Sequence, residues 1–162
     1  MGYTHYWIPK KTSNKKFKEF SETCKRMYNN LPNTSETAGG YCSDEKIEIG
    51  NSLGELSKDN QPEFSTKIVI FNGVGENAHE GFFIEYNNLD EECCKTNRKP
   101  YDFLVCACLI AAADILGYRL ESDGNIEDWK PAISFYKNNV KNFEKRSIVV
   151  NKGKSYEFTI NL

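Results

Sequence analysis

The chain has 162 residues, of which 39% are hydrophobic and 27% charged, with a formal net charge of -2. That length supports one hydrophobic core without metal or disulfide staples, so a single domain over residues 1–162 is expected. The composition excludes a collagenous, repeat-built or wholly disordered chain, and no run of 18 apolar residues is present to span a membrane.

Residues 2–8 alternate, with Tyr3, His5 and Trp7 on one side and Thr4, Tyr6 and Ile8 on the other, the pattern of a strand. Thr12 or Ser13 then caps a helix whose apolar positions Phe17, Phe20, Cys24, Met27, Tyr28 and Leu31 recur every three or four residues. A loop over 32–45 leads to a short strand around Ile47 and Ile49, and a second irregular stretch covers 51–65. Residues 67–71 and 81–86 are apolar strands joined by a turn-rich connector, which predicts an antiparallel hairpin. Pro100 opens a helix that is apolar at every position from Phe103 to Ala113, so it is buried on most sides. A short strand at 118–120, a turn at Ser122–Gly124, and a helix with Trp129, Ile133, Tyr136, Val140 and Phe143 on one stripe follow, with Pro131 in its first turn. Residues 147–150 and 156–160 flank Asn-Lys-Gly-Lys as a C-terminal hairpin. This order predicts an α+β fold, a mainly antiparallel sheet covered by helices, with a ferredoxin-like split βαβ as the nearest template.

Charge is segregated along the chain. Residues 1–30 hold seven Lys/Arg and two acids, 41–92 hold three and twelve, and 93–162 hold eleven and eight. Acidic and basic regions of this kind either complement each other within one domain or form binding surfaces. The near-neutral sum argues against long nucleic acid as a partner, and no membrane partner is expected. The N-terminus has neither the basic and apolar regions of a signal peptide nor a myristoylation motif, which points to the cytoplasm. The Lys-over-Arg and Asn bias fits an AT-rich coding genome, such as that of a low-GC bacterium or its phage; a phage-encoded chain would act in the host cytoplasm. The six cysteines lack CxxC or paired His spacing, so no metal site and no cofactor are expected, and the thiols are read as reduced and buried.

The most informative segment is Cys94-Lys95-Thr96-Asn97-Arg98-Lys99-Pro100-Tyr101-Asp102. It sets three cations and a hydroxyl at a helix N-terminus, where the helix dipole already favours negative charge. A phosphate or carboxylate ligand would compensate them. Alternatively Asp90, Glu91 and Glu92 fold back and neutralise the cations. Spacing excludes a cysteine phosphatase loop, a P-loop and an HExxH metalloprotease. His79 and Glu80, at a loop edge before a strand, are candidates for an acid–base pair or a structural histidine. Tyr3, His5 and Trp7 form either an aromatic wall for stacking a ring or part of the core.

Gly2-Tyr3-Thr4-His5-Tyr6, Phe71-Asn72-Gly73 with His79-Glu80-x-Phe82, the Cys94–Asp102 string, and Ser122-Asp123-Gly124 with Trp129 and Ala132 together resemble an uncharacterised family of small proteins from bacteria, phages and fungi. The resemblance spans roughly residues 2–136 and implies no established activity. It gathers Tyr3, His5, His79, Glu80, Lys95, Thr96, Arg98, Lys99, Tyr101 and Asp102 into one candidate set.

The resulting expectation is a binding protein for a small phosphorylated molecule, foremost a nucleotide or nucleotide-derived signal. Lys95, Arg98 and Lys99 would hold phosphate, Thr96 would donate a hydrogen bond, and Tyr3, His5 and Trp7 would stack on a base. A phage sponge that sequesters a host immune signal is its specific form. The alternatives are a hydrolase or phosphodiesterase using His79 and Glu80, and a protein–protein inhibitor using the acidic 41–92 region.

Overall fold

A computed structural model describes residues 2–34 and 45–162. Cys42 and the start of the acidic 41–92 region lie outside the described residues. Strands β1 (Thr4–Ile8), β5 (Glu92–Lys95), β6 (Arg119–Ser122), β7 (Ser147–Lys152) and β8 (Tyr156–Asn161) form a sheet in the order β5-β1-β6-β7-β8. β2 (Glu63–Phe64), β3 (Ile68–Phe71) and β4 (Phe82–Glu85) form a second, antiparallel sheet. Helices α1 (Asn14–Asn29), α2 (Asp102–Ala111) and α3 (Ile126–Asn139) complete an α+β fold.

The expected split βαβ is present: β5 and β6, joined through α2, both run antiparallel to β1, which lies between them. The β6–α3–β7 crossover is parallel, so the larger sheet is mixed, and β7–β8 is the C-terminal hairpin. No helix of the described residues is long and apolar enough to cross a membrane.

Local chemistry explains the elements. Ser13 caps α1 by accepting the Lys16 N–H at 3.2 Å, and Phe17, Phe20, Cys24 and Met27 bury the predicted stripe. Every residue of α2 is buried, as an all-apolar helix requires. It packs against α1 and α3, and its Asp102 and Cys106 meet His5 of β1. A π-helical turn, Ala112–Leu116, ends it, and Gly117 at φ 73° supplies the left-handed exit. That turn delivers Asp114 inward, where its carboxylate accepts Tyr136 O–H (2.7 Å) and the Glu144 and Lys145 N–H groups (2.9 and 2.7 Å), pinning the loop before β7.

Three expectations change. Ile47 and Ile49 are buried but form no strand; their neighbourhood is tied by isolated bridges, Thr34 to Lys46 and Gly50 to Asn72. Two strands are unpredicted: β2, inside the stretch expected to be irregular, and β5, where alternation exposes Cys93 and buries Cys94, so the thiols are not all buried. Pro131 sits inside α3, beyond its first turn, and Asn125 with Asp128 supplies the capping box.

Candidate functional site

Two neighbouring structures converge where β1, β5, β6 and the start of α2 meet. The first is a buried polar network centred on His5. Its Nδ1 lies 2.8 Å from Ser122 Oγ and its Nε2 2.7 Å from Asp102 Oδ1. Ser122 Oγ also accepts the Gly124 N–H (2.9 Å) and the Trp129 indole N–H (3.3 Å). A hydroxyl oxygen accepts two hydrogen bonds, so Ser122 gives its own proton to Nδ1, and Nε2–H is donated to Asp102. Asp102 further accepts Thr96 O–H at 2.6 Å and Cys106 S–H at 3.6 Å.

Burial pushes the Asp102 pKa up, but the His5 ring and the Thr96 and Cys106 donors outweigh it, so the carboxyl titrates below its ordinary value. Burial, then the neighbouring Asp102 charge, pushes the Cys106 thiol well up, so it is protonated and unreactive in this state.

Tyr3 covers this network. Its ring stands edge-on to His5 at 5.0 Å, and its hydroxyl is buried with no hydrogen-bond partner. Burial raises its pKa first, followed by the charges of Cys106 and Asp102. Gly124 makes room for it: a Cβ there would lie 2.2 Å from the Tyr3 hydroxyl.

The second structure is the cationic turn. Lys99 N–H closes on the Thr96 carbonyl at 3.0 Å while Asn97 and Arg98 take φ of 51° and 58°, the mark of a type I′ turn. Such a backbone costs a residue like Arg98 about 1–3 kcal/mol. It lays the Arg98 guanidinium 4.0 Å over the Tyr3 ring and 2.8 Å from Asp128 Oδ1. The counterion of Arg98 is therefore Asp128 on α3 and not Asp90, Glu91 or Glu92, the alternative to an anionic ligand. Lys95 lies against Gly2, and its backbone N–H is held by Glu80 Oε2 at 2.7 Å.

The candidate residues thus separate. His5, Thr96 and Asp102 belong to the buried network, and Tyr3 and Arg98 form its cover. Lys95 and Lys99 flank the turn. Tyr101 is a core residue whose hydroxyl donates to the Glu80 carbonyl at 2.7 Å. Trp7 is 1% exposed and packs on Phe82, and His5 is 0% exposed, so neither offers a face to a ring ligand. His79 is exposed, with its backbone pinned by Asn72 on both sides: its N–H donates to Oδ1 and its carbonyl accepts from Nδ2.

The helix N-terminus itself is closed. Asp102, Phe103 and Leu104 donate their N–H groups to the carbonyls of Lys99, Pro100 and Tyr101. Ser122, Cys106 and Asp128 were not among the expected site residues. The Asp102/Cys106 spacing of four on one helix face was the available signal. Ser122 is legible only once β6 is placed beside β1. Compared with family models, curated proteins and solved structures, the chain has no match.

Proposed function

We propose that this protein binds a small phosphorylated ligand at the Thr96–Lys99 turn, with a nucleotide-derived signal as the ligand class. The observation that carries the reading is the turn itself. Two consecutive non-glycine residues, Asn97 and Arg98, are held at positive φ, at an energetic cost, in a tight turn flanked by Lys95 and Lys99. Strain retained at such a place is characteristic of ligand clamps. Among the described residues, no carboxylate lies within ion-pair distance of Lys95 or Lys99. Those two ammonium groups are available to an anion, and Arg98 can exchange Asp128 for a phosphate oxygen. With the rings of His5 and Trp7 enclosed, recognition falls on the phosphate.

Calorimetric titration with pyrophosphate, mononucleotides and cyclic dinucleotides at low and high salt tests this. Saturable binding that weakens with salt is expected, with about tenfold or more lost for each cation removed in Lys95→Ala and Lys99→Ala. Heat from none of these ligands sinks the proposal. Because Glu80 is held on Lys95, the same panel assayed for product examines hydrolysis: turnover abolished by His79→Ala favours the enzyme reading over simple binding.

A further inference from the structure

His5 Nε2, an Asp102 carboxylate oxygen and Cys106 Sγ lie within 4.8 Å of one another, and all three residues are buried. They come from β1 and from positions i and i+4 of α2, so no local cysteine or histidine spacing announces them. Cys106 Sγ is 3.6 Å from His5 Nε2 and 3.6 Å from Asp102 Oδ2. With metal–sulfur and metal–nitrogen or –oxygen bonds near 2.3 and 2.0–2.2 Å, a tetrahedral ion has S···N and S···O edges of about 3.6 Å. Two edges of such a site already have their length.

We propose that His5, Asp102 and Cys106 form a binding site for a borderline-soft divalent cation of the Zn²⁺ class, with the Tyr3 hydroxyl as the fourth donor beside it. Two independent observations support this. The supporting shell is complete: Ser122 Oγ orients the remote nitrogen of His5 and Thr96 Oγ1 fixes the Asp102 carboxylate, the arrangement that tunes metal ligands. The Tyr3 hydroxyl, 96% buried by residue area, is the one buried side-chain polar atom among the described residues that lacks a hydrogen-bond partner.

Metal uptake proceeds by exchange. The ion displaces the Nε2 proton of His5 and the S–H proton of Cys106. The imidazole remains neutral by moving to the Nδ1–H tautomer, so the Nε2 proton is regained at Nδ1, and Ser122 keeps its hydroxyl proton and turns from donor to acceptor toward His5. A dication held by one carboxylate and one thiolate leaves the three-ligand core neutral, and one net proton, that of the Cys106 thiol, goes to solvent. Nδ1–H now donates to Ser122 Oγ, so the longest of its donors, the Trp129 indole at 3.3 Å, is released. Trp129 stands edge-on to His5 at 5.2 Å and reports the event.

The test uses the full chain carrying Cys93→Ser, which removes the exposed thiol. It is titrated with Co²⁺ when folded and, because the site is enclosed, also refolded in Co²⁺ or Zn²⁺. The expected result is one ion per chain, a thiolate-to-cobalt charge-transfer band, a change in tryptophan emission, and release of one proton per ion. Cys106→Ser abolishes the band, and Thr96→Val lowers affinity roughly 10- to 100-fold. Thermal unfolding of the unmutated chain supplies a check that needs no folded variant: Zn²⁺ raises the midpoint and a chelator lowers it. Absence of uptake in both folded and refolded chain, uptake without the charge-transfer band, or a band that survives Cys106→Ser overturns the proposal, as does an unmoved midpoint.

Discussion

Ser122→Ala is the perturbation that most directly tests the hydrogen-bond accounting around His5. The substitution removes one oxygen and leaves three buried groups without a partner: His5 Nδ1, the Gly124 N–H and the Trp129 indole N–H. Each unsatisfied buried group costs about 1–3 kcal/mol. The indole contact is long at 3.3 Å, and losses at one hub are not additive, so the expected total is about 3–5 kcal/mol. Because domains are stable by only about 5–15 kcal/mol, the variant should lose roughly a fifth or more of its stability. Urea unfolding followed by tryptophan emission measures this as a lower midpoint with an unchanged m value. Ser134→Ala, on the exposed face of α3, serves as the control and should change stability by less than about 0.5 kcal/mol. A loss below about 1 kcal/mol for Ser122→Ala refutes the network as described, because the three groups would then have found other partners.

Other expectations follow from the same geometry. Asp114→Ala strands Tyr136 O–H and two backbone N–H groups; it should cost about 2–4 kcal/mol and speed amide exchange at Glu144 and Lys145. Asn97→Gly relaxes a residue at φ 51° and should raise the unfolding midpoint, with a gain of up to about 1 kcal/mol, while leaving the cations in place; a clear loss of stability would show that the Asn97 side chain is needed. Alkaline pH should destabilise the fold. Burial raises the pKa of Tyr118 to about 12 and lifts those of Tyr3, Tyr101 and Tyr136 further. Above the ordinary tyrosine pKa of about 10 the unfolded chain sheds phenolic protons that the folded chain retains, so stability present below that pH is lost as pH rises. A flat denaturation midpoint between pH 9 and 11 (roughly one unit either side of that pKa) would contradict the burial of these phenols.

Much of the fold is legible because it depends on periodicity. The α1 stripe from Phe17 to Met27, the β3–β4 hairpin, the all-apolar α2 and the β7–β8 hairpin each carry a local pattern that matches their burial. β5 is not legible, since Glu92-Cys93-Cys94-Lys95 has one inward apolar side chain and owes its strand to the partner it finds in β1. Ile47 and Ile49 show the converse: apolar residues buried by the surrounding fold without a ladder to join. At the site, His5, Thr96 and Asp102 stand out by residue type, but their roles do not. A cation-rich helix start suggests an open anion site, whereas Asp102 turns inward to His5 and Arg98 turns back to Tyr3 and Asp128. Which side chains meet is decided by β1 lying between β5 and β6, and that placement is a long-range property no local spacing contains.

That the Thr96–Lys99 turn clamps an anion is the central proposal. The decisive measurement is the affinity of pyrophosphate and nucleotides for the unmutated chain against Lys95→Ala/Lys99→Ala, with both proteins shown to be equally folded. Saturable, salt-sensitive binding that falls by about a hundredfold or more in the double variant, about tenfold for each cation, is the predicted result. Undetectable binding to the unmutated chain, or equal affinity in the two proteins, contradicts it.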